Sequence, residues 1–252
     1  MTSSQLRANA RESLKGKWGK AALITLVYMI IVYVISFVLA LIPVVGSIAS
    51  YAISIPLSYG LIVVFVKLKR GEEVSYVDFL NFGFSKFGKV WGVFGNMILK
   101  LIVPVILVVV SVMVIVFGGA GAIVGAAFDT ASATVGFSGI TIIGLIGYIA
   151  SLIYLVVKGY LYSLSYFILN DNEEKTGKEI VEESEKLMRG NRWSYFWLGL
   201  TFIGWAILAS FTFGIGMLWL MPYMQVAFIA FYESLAGIKN DEKVETTVEE
   251  KE

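Results

Sequence analysis

The feature that most constrains the fold is a run of 46 residues, from Ala21 to Val66, that contains no charged side chain. A second uncharged run of 40 residues extends from Trp193 to Tyr232. About 20 apolar residues cross the hydrocarbon core of a bilayer, so each run is long enough for two spanning helices. With 58% hydrophobic and 15% charged residues, a soluble fold of 252 residues would expose too much apolar surface. The sequence therefore predicts an all-α integral membrane protein.

Turn-forming residues divide the chain into about six spans. The first run breaks at residues 43–47, which read PVVGS, and the last breaks at residues 213–216, which read FGIG. A cleaved signal peptide is the competing interpretation of the first span, but its roughly 22 apolar residues exceed the 7–15 of a signal sequence. The spans are predicted near 21–42, 48–66, 99–118 and 140–157, the fourth continuing towards 169, with two more between 193 and 232.

The orientation follows from the distribution of basic residues. All 20 Lys and Arg fall in the N-terminus, the two long connections or the C-terminal tail when the spans are placed as above. Lys and Arg concentrate on the cytosolic side of membrane proteins, so both termini are predicted to be cytosolic. The segment 118–139 is rich in Gly, Ala, Ser and Thr, with Asp129 as its one charge. It is predicted to be an outside loop, with a re-entrant segment as the alternative.

A weak internal repeat predicts three tandem two-helix units, at about 2–67, 75–170 and 176–237. Each unit is predicted to begin with an amphipathic helix on the cytosolic face, followed by a basic turn containing Gly and Trp. Ser75 with Asp78 and Thr176 with Glu179 have the spacing of capping boxes at helix starts. The matching position of the first unit holds Thr2 and Ser3 without an acidic partner. Residues 1–237 are predicted to form one membrane domain, and residues 238–252 a disordered acidic tail.

Between cap and turn, apolar residues recur at helical spacing. Such stripes suit helices that lie in the membrane interface, with basic residues towards lipid phosphates and Trp at headgroup depth. The stripes comprise Leu6, Ala10 and Leu14 in the first unit, Tyr76, Leu80, Phe84 and Phe87 in the second, and Ile180, Ser184, Leu187 and Met188 in the third.

The basic Gly-Trp turns are candidate contacts for anionic lipid headgroups at the cytosolic face. Ordinary anchoring by basic residues on the inner side explains the same pattern, so both interpretations stay open. The candidate lipid-interface residues are Lys15, Lys17, Trp18, Lys89, Trp91, Arg189, Arg192 and Trp193.

Five polar residues are candidates for a role within the membrane because burying an ionisable group there is costly. They are Asn96, Lys100, Lys158, Gln225 and Glu233. Lys100 and Lys158 lie near inner ends of spans, where they can extend to phosphates or act as functional cations. Glu233 can pair with either lysine or face the cytosol. The two amides are typical of interhelical hydrogen bonds.

The absence of Cys and His removes the usual thiolate nucleophile, the commonest general base and the commonest transition-metal ligands. Nearly every carboxylate lies in a charged cytosolic segment. The sequence therefore predicts no catalytic residues, no cofactor, no metal and no nucleic-acid partner. The predicted function is a non-catalytic accessory, assembly or envelope-homeostasis factor that acts through lipids and a membrane-protein partner. The alternative is a transporter or carrier of a small amphiphile or lipid.

Three segments resemble a known family. Residues 10–18 read ARESLKGKW, residues 187–193 read LMRGNRW, and residues 212–223 read TFGIGMLWLMPY. Together they resemble the bacterial membrane family called domain of unknown function 975, over nearly the whole chain except the acidic tail. That family is similar to the membrane portion found beside some bacterial glycerophosphodiester phosphodiesterases. The resemblance implies a bacterial plasma-membrane location and an envelope or lipid connection, and it brings no known substrate and no catalytic residues.

Overall fold

The computed structural model describes residues 1–42 and 44–238, and in these residues the chain is helical with short connections. Pro43, the first residue of the turn predicted at 43–47, and residues 239–252 of the predicted disordered tail lie outside the described residues. Ten helices follow one another: α1 (Ser3–Ser13), α2 (Trp18–Ala40), α3 (Val45–Lys69), α4 (Asp78–Ser85), α5 (Phe87–Ala127), α6 (Ala131–Tyr160), α7 (Ser165–Asp171), α8 (Gly177–Met188), α9 (Arg192–Ser210) and α10 (Met217–Ala236).

Five helical segments of the described chain are long and apolar enough to cross a membrane. The prediction of an all-α chain is thus confirmed for the described residues, with five candidate membrane-spanning segments. The sixth predicted span corresponds to α10, which has 20 residues but includes Pro222, Gln225 and Glu233. The five segments are Trp18–Ala40, Val45–Lys69, Phe87–Ala127, Ala131–Asp171 and Arg192–Ser210.

The prediction of a loop over residues 118–139 is wrong, because most of these residues are helical. Helix α5 continues to Ala127 and α6 begins at Ala131, so only three residues connect them. The glycines that suggested a loop instead allow two helices to approach closely. A Cβ on Gly121 would lie 2.3 Å from the Phe137 ring, and a Cβ on Gly125 would lie 2.8 Å from the Thr134 nitrogen. The small residues are therefore the contact surface of a helical hairpin.

The chain divides into two compact units. Unit 1 contains residues 1–93 and 164–238 of the described chain, and unit 2 contains residues 94–163. Unit 2 consists of the greater part of α5 and α6 as a hairpin. Unit 1 contains the remaining helices, including all three short helices that precede spans. The single domain predicted over 1–237 and its three repeat boundaries stay predictions.

The short helices α1, α4 and α8 each pack against a helix that ends one of the predicted repeats. Helix α4 packs on α3, α8 packs on α7, and α1 packs on α10 near the other end of the chain. The apolar stripes of α1 and α8 are buried by these contacts, with Leu6 and Ile180 at most 1% exposed. These two stripes therefore face protein. In α4, Phe79 is the buried aromatic, whereas the predicted stripe residue Phe84 is 43% exposed.

Local hydrogen bonds fix where two of these helices begin. The Thr176 hydroxyl accepts from the Glu179 amide and the Glu179 carboxylate accepts from the Thr176 amide, which confirms the predicted capping box. Thr2 forms the same arrangement with Gln5, an uncharged partner that a search for acidic residues overlooks. Ser75 donates its amide to the Asp78 carboxylate, but α4 begins only at Asp78. The second predicted box is thus half formed.

Two of the three Gly-Trp turns require glycine. Gly16 has φ +77° and Gly190 has φ +85°, in the left-handed region that side chains with a Cβ disfavour. Gly88 differs, because it lies inside the first turn of α5. The second predicted turn is therefore the start of a helix.

We expect Gly16→Ala and Gly190→Ala each to lower the free energy of unfolding by about 1–2 kcal/mol, because a Cβ is strained at positive φ. Gly88→Ala is the matched control. A Cβ at each of the three positions meets no atom within 4 Å, so crowding does not differ among them. In a helix interior alanine is favoured by about 0.5–1 kcal/mol, so the control should be slightly stabilised. Thermal unfolding of the three variants in one detergent measures these changes in stability. Equal destabilisation of the control and the other two variants would contradict the explanation from positive φ.

Candidate functional site

A buried ion pair joins α3 and α10 in unit 1. Lys69 is the last residue of α3 and Glu233 lies in the last turn of α10. Their side chains are 1% and 5% exposed, and the Lys69 ammonium donates to the Glu233 carboxylate. Buried charges of this kind persist only when they are paired, because an isolated ion loses its hydration without compensation.

Arg70 extends this pair to a third segment of the chain. Its guanidinium donates to both oxygens of Asp171 at the end of α7, over 2.8 and 2.9 Å. Its Nε also donates to Glu233 at 3.4 Å. The two-pronged geometry suits a planar guanidinium facing a carboxylate. The hydrogen bond to Asp171 raises the pKa of Arg70. We call Lys69, Arg70, Asp171 and Glu233 the ion cluster.

Aromatic side chains surround the ion cluster. Tyr232 precedes Glu233 in α10, is 3% exposed, and its hydroxyl interacts with the Asp171 carboxylate. Its ring stacks on Phe167 with 5.5 Å between centroids. Tyr59 of α3 and Tyr166 of α7 form a second ring contact, at 5.8 Å. Little water reaches the Lys69–Glu233 pair, and its attraction is therefore stronger than that of an exposed pair.

The ion cluster holds two positive and two negative charges, so it is neutral as a whole. It joins the ends of three segments, α3, α7 and α10, that come from three separate parts of the sequence. This arrangement can fix how the segments meet, because each charge is satisfied only in the correct assembly. Within residues 1–42 and 44–238, no three acidic side chains are grouped so that they could hold a metal ion.

Of the five polar residues predicted within the membrane, Glu233 belongs to the ion cluster. Its partners are Lys69 and Arg70, where the sequence suggested Lys100 or Lys158. In unit 2, Lys100 is exposed and the Lys158 ammonium lies 5.9 Å from the Tyr154 ring centroid. Asn96 and Gln225 are half-buried.

The sequence pattern does not single out Lys69, Arg70 and Asp171 as site residues. The first two follow a predicted span among other basic residues, and Asp171 is one of many charges in its segment. A signal was present, since opposite charges directly follow the apolar part of each returning segment. Comparing the ends of the three returning segments suggests that the basic residues of one pair with the acidic residues of the others.

Two candidate lipid-interface residues contact protein carbonyl groups. Lys17 donates to the Leu68 oxygen at 3.0 Å, and Lys89 donates to the Glu173 oxygen. Both acceptors lie near the end of a helix, where free carbonyls carry partial negative charge and attract cations. Lys86 also pairs with the Glu173 carboxylate and holds the pKa of that group below its usual value.

The other candidate lipid-interface residues are spread over unit 1. Trp18 packs 6.0 Å from Tyr223 between ring centroids, and Arg189 pairs with Glu185 one helical turn away. Trp193 is 71% exposed at the start of α9. Lys15 is exposed, whereas Arg192 and Trp91 are half-buried. The lipid-contact role of all eight residues stays a prediction.

Comparison with known proteins gives one match. The model of a family described as "Protein of unknown function (DUF975)" matches residues 1–239. No curated protein and no solved structure matches the chain.

Proposed function

From the premise that this chain belongs to the DUF975 family, a family of unknown function, we propose that it is a non-catalytic membrane accessory factor. It acts in assembly or envelope homeostasis through contacts with lipids and with a membrane-protein partner. Its setting is the bacterial plasma membrane, with six spans and both termini cytosolic. The distribution of Lys and Arg supports this orientation.

The observation that carries the proposal is the surface of unit 2. Only 11% of the most apolar part of α5 is buried inside the protein, and the same holds for the segment Ala131–Asp171. Large apolar side chains are exposed along both helices, including Phe117 and Ile143 at 64% and 68%. An exposed apolar surface of this extent fits lipid and other membrane helices. Unit 1, in contrast, pairs its buried charges internally.

Recurrent contacts in unit 1 support three repeats. Each short helix packs on the returning segment of the predicted repeat before it, and α1 closes the series by packing on α10. A second contact recurs in two of the repeats. Lys17 donates to the Leu68 carbonyl and Lys89 donates to the Glu173 carbonyl, each near the end of the returning segment of the same repeat. We propose three tandem two-helix repeats with short helices on the cytosolic face.

A carrier of a small amphiphile or lipid is the second candidate function. It is favoured by an open cavity of about 330 Å³ near the turn of unit 2. Phe117, Phe128 and Phe137 line this cavity together with small residues, so it suits an apolar chain.

Site-specific photocrosslinking in intact cells distinguishes the two functions. We place p-benzoylphenylalanine at Phe117 or Ile143 of unit 2, and at Tyr33 of α2 as a control that is 70% exposed. An accessory factor should give one discrete protein adduct of the same mass from both positions of unit 2 and not from Tyr33. Native mass spectrometry of the gently extracted protein should then show that partner in fixed stoichiometry.

Adducts with lipid alone at both positions of unit 2 would contradict the partner-binding proposal. A retained amphiphile in the mass spectrum, without a protein partner, would favour the carrier.

A further inference from the structure

Two hairpin turns of unit 1 combine backbone strain with exposed apolar side chains. Val44, before α3, has φ +62° and is 73% exposed. Phe213, between α9 and α10, has φ +53° and is 100% exposed. Among the described residues, the only other non-glycine residue with positive φ is Asp129 in the turn of unit 2. Bulky residues rarely adopt this conformation, so their presence in turns needs a physical reason.

The neighbours of these residues are apolar as well. Phe211 and Ile215 are 78% and 61% exposed beside Phe213, and Leu41 is 71% exposed near Val44. Turns that face water are usually built from Asn, Asp, Ser and Gly. Neither turn contains a charged residue, because both lie within the long uncharged runs. The exposed side chains of these turns therefore suit an apolar solvent.

The backbone of the α9–α10 turn satisfies most of its own hydrogen bonds. Thr212 donates its amide to Ala209, and its carbonyl accepts from the Ile215 amide at 3.1 Å. The Thr212 hydroxyl accepts from the Gly216 amide at 2.8 Å. Of the described residues in the turn before α3, Ile42 donates its amide to the Leu39 carbonyl, and its own carbonyl accepts from the Gly46 amide. Backbone groups in hydrocarbon must be satisfied internally because no water reaches them.

The length of α9 fixes the depth of its turn. Its 19 residues extend about 28 Å, close to the roughly 30 Å of a hydrocarbon core. Arg192 and Trp193 begin the helix and belong at the cytosolic interface. The turn that starts at Phe211 therefore reaches the far edge of the hydrocarbon without passing through the headgroups.

We propose that the α2–α3 and α9–α10 turns insert into the acyl chains of the outer leaflet. The occupant of this apolar surface is lipid, which is continuous with the lipid around the spans. The inference rests on the proposed topology, in which both turns lie away from the cytosol. The turn of unit 2 differs, because the carboxylate of Asp129 requires water or headgroups.

The chain has no cysteine, so single-cysteine variants report depth directly. We label Val44→Cys, Phe213→Cys and Thr130→Cys with an environment-sensitive NBD maleimide in liposomes. Thr130 is exposed beside Asp129, so this control variant keeps the carboxylate. The liposomes contain lipids brominated at different acyl positions. We expect blue-shifted emission and strong bromine quenching at the first two positions, and water-like emission with weak quenching at Thr130→Cys.

Water-like emission at Val44→Cys and Phe213→Cys would overturn the proposal. Blue-shifted emission that bromine does not quench would also overturn it, because protein would then cover the turns. Orientation is tested separately by a charged maleimide added outside intact cells. Labelling of Thr130→Cys only after permeabilisation would refute the topology, whereas bromine quenching reports insertion in either orientation.

Discussion

Replacing Glu233 by Gln is expected to lower the free energy of unfolding by about 3–5 kcal/mol. The substitution keeps the size of the side chain and removes its charge. It leaves the buried Lys69 ammonium without its counter-ion and weakens the hold on Arg70. Removal of one partner from a buried pair is this costly because the remaining charge has neither water nor an opposite charge nearby.

The measurement is thermal or denaturant unfolding of the purified protein in a single detergent. Arg189→Gln is the matched control, since Arg189 also pairs with a glutamate but its side chain is 69% exposed. Exposed pairs contribute about 0–1 kcal/mol, so this variant should unfold close to the parent. Equal destabilisation of the two variants would refute the special role of burial.

The double variant Lys69→Met/Glu233→Met separates charge from packing. Replacing a buried ion pair by apolar residues of similar volume is often neutral or stabilising. We therefore expect the double variant to recover most of the stability that Glu233→Gln loses. If it is as unstable as the single variant, the ion pair acts through contacts with Arg70 and Asp171 rather than through its own neutrality.

The second large effect is expected from Gly60→Ala and Gly83→Ala, where α3 and α4 meet at backbone distance. A Cβ on Gly60 would lie 1.9 Å from the Phe79 carbonyl oxygen, and one on Gly83 would lie 2.4 Å from the Pro56 oxygen. Neither clash can be relieved by a side-chain rotation, so α4 must move away from α3. Overpacking typically lowers the free energy of unfolding by about 1–3 kcal/mol, and we expect each variant to lower it by about 3 kcal/mol or more.

Limited proteolysis of the connection around α4, together with thermal unfolding, checks this expectation. Gly95→Ala is the control, because a Cβ there meets no atom within 4 Å and the residue lies inside helix α5. It should be neutral or slightly stabilising. Unchanged protease resistance in both Gly60→Ala and Gly83→Ala would show that α4 is not held at backbone distance.

Local features of this fold could be predicted from the sequence. The capping box of Thr176 depends on residues three positions apart, and the spans depend on uninterrupted apolar runs. The end of α5 was misjudged because Gly, Ala, Ser and Thr favour both loops in water and helix contacts in lipid. Only knowledge of the solvent around residues 118–139 decides between these outcomes.

Tertiary features were less accessible. The ion cluster joins residues that are 163 and 164 positions apart, Arg70 and Lys69 with Glu233, so no local pattern contains it. The stripe of α1 was correctly recognised as apolar, but its partner was taken to be lipid. Periodicity identifies a buried face without identifying what buries it.

The contact between α1 and α10 can form only late, because α10 is synthesised after α1. The Tyr223 hydroxyl donates to the Arg7 carbonyl at 3.4 Å, and Leu6 and Ala10 are almost fully buried. The ribosome makes α1 before α10, so the apolar face of α1 waits for its partner while helices α2 to α9 are made. During that interval the membrane surface is the available cover for this face. Helix α1 is thus the short helix that contacts its partner latest, because α4 and α8 pack on helices that precede them in the chain.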